Sequence, residues 1–223
     1  MAYNFKYMIA SVLRPKGKHR FVKSLPAKSK ILDIGCGNAS VNAFKSVNPS
    51  VHYSGVDVAD FNQTEASKAA MDDYLIFEPS LFDRGIDKLP SDYDAVVWSH
   101  NIEHCFDRWA VFRAVLDRLK PSGALYLSFP SMETLDFPSR EGTLNYLDDP
   151  THREAPPDLE SVISFIEERG FSIGFVERNY RPKLLALVGF LLEPLSIMSG
   201  RVRLGTWEYY GFETIIHAVK DAD

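Results

Sequence analysis

Residues 30–40, KILDIGCGNAS, constrain this chain more than any other stretch. An apolar strand runs into a glycine turn, and the turn runs into a helix start. Gly35 and Gly37 carry no Cβ, so a ligand can approach the backbone there. The free N–H groups of a helix start favour an anionic or hydrogen-bonding ligand. Residues 51–58, VHYSGVDV, read as a second strand closed by an acid, Asp57. Strand, glycine turn, helix and an acid-terminated strand form the arrangement with which α/β proteins hold an adenosine ribose. Any nucleotide-type cofactor fits it at this point.

The 223 residues, 45% hydrophobic and 25% charged, suit one globular domain with a full core. No apolar run reaches the ~18 residues that span a bilayer, and the start lacks a secretory pattern. Cys36 and Cys105 make no disulfide framework, so a reducing cytoplasm is the expected location. Charge is unevenly placed. The first 32 residues hold eight Lys/Arg and no acid, while the rest carries 17 basic and 30 acidic residues. The expectation is a solvated basic arm over 1–29 that complements an acidic body. A clamp for an anionic substrate or membrane surface is the sharper alternative. Pro15 and Gly17 and a shortage of Ser argue against a transit peptide.

Apolar spacing predicts a helix over 3–13, broken at 14–17. Strands follow at 30–34, 51–58, 74–77, 93–98 and 124–129, with helices over 39–47, 64–72 and 107–119. Lys120-Pro121-Ser122-Gly123 ends the last of these helices. Residues 130–157 form a long loop, and loops of that length usually carry function. Asp158 caps a helix to 169 with Gly170 past its end. Strands at 171–177 and 212–219 complete the chain. The alternation predicts a largely parallel sheet covered on both faces. The last connection shows no clean crossover helix, so an antiparallel final strand is expected.

On these residues the chain resembles the class I S-adenosylmethionine (SAM)-dependent methyltransferases. The carriers are ILDIGCGNA at 31–39, Asp57, Leu89-Pro90 ahead of YDAVVWSHNIEH at 93–104, and LDRLKPSGALYLSFP at 116–130. The resemblance implies an α/β fold, a Rossmann-like seven-stranded mostly parallel sheet with helices on both faces and a terminal antiparallel strand, spanning 30–223. It would carry a loop insertion at about 131–157 and an apolar one at about 180–205. Two family glycines are replaced, by Ala39 and by Ser122, both small. SAM is the implied cofactor and S-adenosylhomocysteine the product. Gly35 and Gly37 would pass under the methionine part, with Asp33 fixing the turn, and Asp57 would accept from both ribose hydroxyls. Cys36, Asn38 and Val58 flank these positions; the Cys36 side chain reads as a small packed residue. Phe82 and Asp83 fall where the family contacts adenine, and Ser99 and His100 would border the methyl group.

Methyl transfer asks the protein for alignment and, for an oxygen nucleophile, a base. His152, in the loop over the acceptor side, is the candidate base. His104 is a second catalytic candidate, but it reads first as a structural partner bonded beneath the cofactor pocket. The loop looks like those of methyltransferases acting on sugars of surface polysaccharides, so O-methylation of a sugar or other small hydroxyl compound is the expected reaction. Arg140 and Arg153 could pair with a phosphate or carboxylate on the acceptor. Residues 184–198, LLALVGFLLEPLSIM, are notably apolar and read as a buried helix or homodimer face, or as an acceptor lid or membrane patch flanked by Arg181, Lys183, Arg201 and Arg203.

Residues 100–104, HNIEH, match the H-x-x-E-H pattern of inverted zinc proteases, but the motif begins at a strand exit rather than on a helix. His100, Glu103, His104 and His152 also imitate the divalent-ion set of some small-RNA methyltransferases, although His100 stands where those have a carboxylate and the later loop differs. No metal is therefore expected. An NAD(P)-dependent oxidoreductase shares the early motif, but Gly35-x-Gly37-x-x-Ser40 lacks its third small residue, usually Gly or Ala. A non-catalytic regulatory module keeping the fold is a further alternative. The acidic balance argues against a nucleic-acid substrate.

Overall fold

The computed structural model describes residues 5–222. Seven strands build one sheet: β1 (Lys30–Ile34), β2 (His52–Asp57), β3 (Asp73–Ile76), β4 (Tyr93–Ser99), β5 (Leu119–Pro130), β6 (Phe171–Glu177) and β7 (Glu213–Lys220). Their order is β3-β2-β1-β4-β5-β7-β6. The first five pair in parallel. β7 is inserted between β5 and β6 and runs antiparallel to both. The alternation of elements predicts the largely parallel sheet, and the whole is the Rossmann-like arrangement that the resemblance implies.

At the centre of the sheet both faces are dry. Along β1, Ile31 packs on one side while Leu32 and Ile34 pack on the other, and β4 repeats this with Ala95 and Val97 against Val96 and Trp98. A strand buried on both faces has no polar side, which explains the continuous apolar runs. One face is covered by α1 (Phe5–Leu13), α2 (Lys18–Ser24) and α3 (Ser40–Val47), through Phe21, Val22, Val41 and Phe44. α4 (Glu65–Ala70) leads from β2 to β3. The other face is covered by α5 (Phe82–Ile86), α6 (Arg108–Leu116) and α7 (Leu159–Glu167), where Phe112 meets Trp98 edge-on at 5.2 Å. The Asp158 carboxylate accepts from the Ser161 N–H at 2.9 Å to start α7, and Gly170 follows at φ +72°.

Four expectations are corrected. The described part of the basic segment, residues 5–29, is not a solvated arm: Phe21 and Val22 are core, and Arg14 is tied to Glu208 and Glu213. In α2 the exposed Arg20 stands next to the buried Phe21 and Val22, so the charge hides the packing. (Residues 3 and 4 of the helix predicted from 3 lie outside the described residues.) Second, residues 120–123 do not end a helix but lie in β5, where the ladder to β4 shifts register between Tyr93 and Ala95. An irregular ladder absorbs turn-forming residues without ending the strand. Third, α5 falls between the strand at 74–77 and Leu89-Pro90, a stretch to which the sequence reading assigns no element.

Fourth, the last connection does contain a helix, α8 (Lys183–Ser199), with Pro194 inside it, followed by α9 (Thr206–Tyr210). Proline removes one intrahelical hydrogen bond, and the side chain just before it is anchored. Glu193 receives Arg140 through both guanidinium nitrogens at 2.9 and 2.6 Å, and the Tyr210 hydroxyl at 2.6 Å. Gly189 lets α8 approach the turn before α9, since a Cβ there would lie 1.9 Å from the Gly205 carbonyl oxygen. The buried face of α8 is thus small and polar, Gly189, Glu193 and Ser196 beside Leu185. Its outward face carries Leu184, Leu187, Phe190, Leu191, Leu195, Ile197 and Met198, all more than half exposed.

Candidate active site

The carboxyl ends of β1, β2 and β4 meet where the strand order turns from β1 to β4, the place where open α/β sheets bind ligands. From the end of β1 the backbone bends at Gly35, φ +73°, and the N–H groups of Gly35 and Cys36 both donate to the Val56 carbonyl at 2.9 and 3.2 Å. Gly35 makes room for a neighbour: a Cβ would stand 2.6 Å from the Asn101 amide. Gly37 lies against the Asp57 carboxylate and the Phe61 ring. A Cβ there would lie 3.4 Å from Asp57 Oδ2 and 3.2 Å from the Phe61 ring. Asp33 is buried and accepts from Ser40 and from the Tyr53 hydroxyl at 2.5 Å, which ties the strand end to the start of α3. Burial raises its carboxyl above the usual range.

Asn38 and Ala39 both adopt left-handed backbone, φ +55° and +53°. The Asn38 N–H donates to the Phe61 carbonyl at 3.0 Å, and Gln63 Nε2 donates to the Cys36 carbonyl at 2.9 Å, so residues 59–63 lean over the turn. The Cys36 side chain is buried against Gly55, and burial pushes its thiol well up. Asp57 accepts the Val58 N–H at 2.7 Å. Burial raises its carboxyl, against the backbone N–H groups of Val58 and Gly37 that favour the charge. The Phe82 ring is buried in the core beside Phe77, and Asp83 lies in the first turn of α5, so a ligand near 82 meets backbone rather than a flat ring.

Beyond β4, Ser99 Oγ sits 3.0 Å from Ser128 Oγ. His100 takes φ +51° and lies 5.4 Å from the Trp207 ring, with Nε2 3.1 Å from Glu213 Oε1. Burial opposes its charge, but Glu103 and Glu213 outweigh burial and push the imidazole up to about 9. Burial would raise the Glu213 carboxyl, yet Arg14 and His100 hold it well below the usual range. Glu213 escaped the sequence reading; its signal is a lone acid opening an apolar strand.

Residues 102–104 form a single 3-10 turn, not an α-helix, so the inverted-protease geometry is absent there. That turn and the long loop meet. His104 and His152, 48 residues apart in the sequence, have ring centroids 4.9 Å apart. Around them the loop is firmly held. The Arg153 N–H donates to the Glu103 carbonyl at 3.0 Å, Tyr146 donates to the Glu154 carbonyl at 2.7 Å, and Arg108 donates to the Ala155 carbonyl at 2.8 Å. His152 stacks on the Tyr146 ring at 4.0 Å, its Nδ1 2.7 Å from the Tyr146 carbonyl. Burial holds the His152 imidazole below its ordinary range, against that hydrogen bond. Arg140 is not free for an acceptor, because Glu193 and Ser196 engage it; Arg153 stays exposed over Phe106.

A family profile described as a methyltransferase domain matches residues 5–173. A curated relative, 27-O-demethylrifamycin SV methyltransferase of Amycolatopsis mediterranei (strain S699), is 32% identical over 112 residues, 46% of this chain. The match spans 39% of that relative's length. Among solved structures, an S-adenosylmethionine-dependent methyltransferase from Listeria monocytogenes aligns at TM-score 0.60 and 16% identity, covering 96% of this chain and 99% of its own. The plantazolicin methyltransferase BamL, solved with SAH and a triazolic desmethylPZN analogue, aligns at TM-score 0.62 and 14% identity, covering 98% of this chain and 90% of its own.

Proposed function

Given that this chain belongs to the methyltransferase domain family and is a class I SAM-dependent methyltransferase, we propose that it methylates a hydroxyl group of a small acceptor such as a sugar. The observation that carries this reading is the junction of His104 and His152 beside the strand ends that hold the donor. Bound SAM supplies an activated methyl on a sulfonium. The residues fit that donor: the absent Cβ at Gly37 leaves the Asp57 carboxylate open, and two acceptor oxygens match a vicinal diol. Ser99 and His100, at the exit of β4, border the methyl-bearing end. His104 and His152 activate the acceptor hydroxyl, the imidazole being suited to receive its proton. The loop at 145–155 shields the acceptor from water. The rifamycin relative, a small-molecule methyltransferase by its name, supports an acceptor of that class.

The outward face of α8 completes the reading. A helix polar inside and apolar outside inverts the usual amphipathic order, and its outer face needs an apolar neighbour. Its 17 residues span about 25 Å, a footprint of roughly 250 Å² against about 800 Å² per partner in a standard dimer. Exposed Arg181, Lys183, Arg201 and Arg203 flank it, while Glu193, an acid within it, is buried. An anionic membrane surface matches both features.

Calorimetry with SAM and S-adenosylhomocysteine tests the core reading, followed by isotopic methyl transfer to hydroxyl-bearing acceptors. Binding of both nucleosides together with label in an ether linkage is the expected result. Absence of binding at millimolar cofactor refutes it, and label on nitrogen or carbon refutes the hydroxyl assignment.

A further inference from the structure

Glu103 is a buried carboxylate with a loose end. The residue is 1% exposed, and its Oε2 has no hydrogen-bond partner. Its Oε1 faces His100 Nδ1 at 3.5 Å. An unpartnered buried carboxylate oxygen is costly and calls for a cation or a donor. Beside it stand His104 and His152, and one ligating atom from each of the three residues lies within 4.8 Å of the others.

The hydrogen-bond network fixes where the histidine protons are. The Tyr146 carbonyl can only accept, so His152 donates from Nδ1 and its Nε2 keeps a lone pair. The Thr151 hydroxyl gives its single proton to Asp149 Oδ1 at 2.6 Å. It must therefore accept from His104 Nδ1, 2.9 Å away, which leaves the Nε2 lone pair of His104 free as well. Two imidazole Nε2 atoms, each oriented by an outer partner on Nδ1, and one carboxylate oxygen make a ligand set that zinc-class cations take, with open positions left over. His100 stands outside it, held by Glu213 and Trp207.

We propose that Glu103, His104 and His152 bind a zinc-class divalent cation at the acceptor side of the cleft. This departs from the metal-free expectation of the sequence. It rests on the methyl-transfer reading only for its purpose. An open coordination position there would take the acceptor hydroxyl and lower its pKa, so that in the loaded protein the two imidazoles are ligands and the cation activates the hydroxyl.

The test is titration of chelator-stripped, untagged protein with Co²⁺, read by its visible absorption, with Zn²⁺ as competitor and Mg²⁺ as the hard-ion control. The expected result is one Co²⁺ per chain, displaced by Zn²⁺ and indifferent to millimolar Mg²⁺. Glu103→Gln and His152→Ala should each weaken Co²⁺ at least tenfold. Thr151→Val leaves all three ligands in place but removes the acceptor for His104 Nδ1, and should weaken it about tenfold. No cobalt band, or a band unchanged in Glu103→Gln, overturns the site. If Glu103→Gln does not fold by circular dichroism, the wild-type stoichiometry and Thr151→Val decide. S-adenosylhomocysteine calorimetry on the same preparations separates the two readings. Cobalt without nucleoside binding keeps the site and removes methyl transfer, and the reverse removes the site alone.

Discussion

Single residues carry the proposed donor site, and most of them stand out in the sequence itself. Asp57 does so because it is an acid ending an apolar strand after a glycine turn, and it lies at the end of β2 beside that turn. Asp57→Ala should remove two charge-assisted hydrogen bonds, about 3 kcal/mol, and weaken S-adenosylhomocysteine by about a hundredfold in calorimetry; equal affinity would discard the ribose assignment. The two replaced glycines were harder to weigh. Ala39 and Ser122 look like minor changes by size, yet both sit at positive φ, +53° and +62°, where a Cβ is disfavoured. Ala39→Gly should therefore raise stability by about 1 kcal/mol in urea denaturation. Backbone sign is not written in side-chain volume, which is why the sequence could not reveal it. The orphaned oxygen of Glu103 was equally hidden, because it depends on which groups fail to reach it.

Among elements, local signals worked where capping and periodicity were strong. Asp158 and Gly170 bracket α7 as expected. The apolar run 184–198 reads as a helix, but Glu193-Pro194 resembles a break and hides its place in the last connection, and only the distant Arg140 shows why α8 continues through it. That pair gives a sharp expectation. Arg140→Met strands a buried carboxylate and should cost about 3 kcal/mol, whereas Arg140→Met with Glu193→Leu should recover most of the loss; chemical denaturation of both variants checks it. The outer face of the same helix predicts partition. Leu187→Glu with Leu191→Glu should abolish co-sedimentation with anionic vesicles while leaving the melting temperature nearly unchanged, since neither side chain is packed. Retained co-sedimentation would exclude α8 as the membrane contact.

At the level of the whole molecule, the sheet and its ligand edge followed from element alternation, while the placement of the N-terminal helices did not. Their basic residues suggested a free arm, and the packing that contradicts this lies in contacts with α3, β5 and β7. His19, within α2, meets Tyr7 and Phe44, and burial together with Lys18, Arg14 and Lys6 lowers its imidazole from 6.5 to about 4. The unfolded chain therefore takes up the proton first. Stability from this group is complete above about pH 6.5 and is lost as pH falls toward 4. Thermal melts from pH 7 to 4.5 should show a decline that His19→Asn makes shallower; identical slopes would assign the acid sensitivity elsewhere.

Because β7 is wedged between β5 and β6, the sheet cannot close in the order in which the chain leaves the ribosome. β6 has β7 as its strand partner, so until residue 213 emerges, the strand edges that β7 later pairs stay open to solvent or a chaperone. A nascent chain halted at 212 should thus be sticky and easily cleaved, and the last eight-residue strand acts as the clasp that makes the whole chain durable.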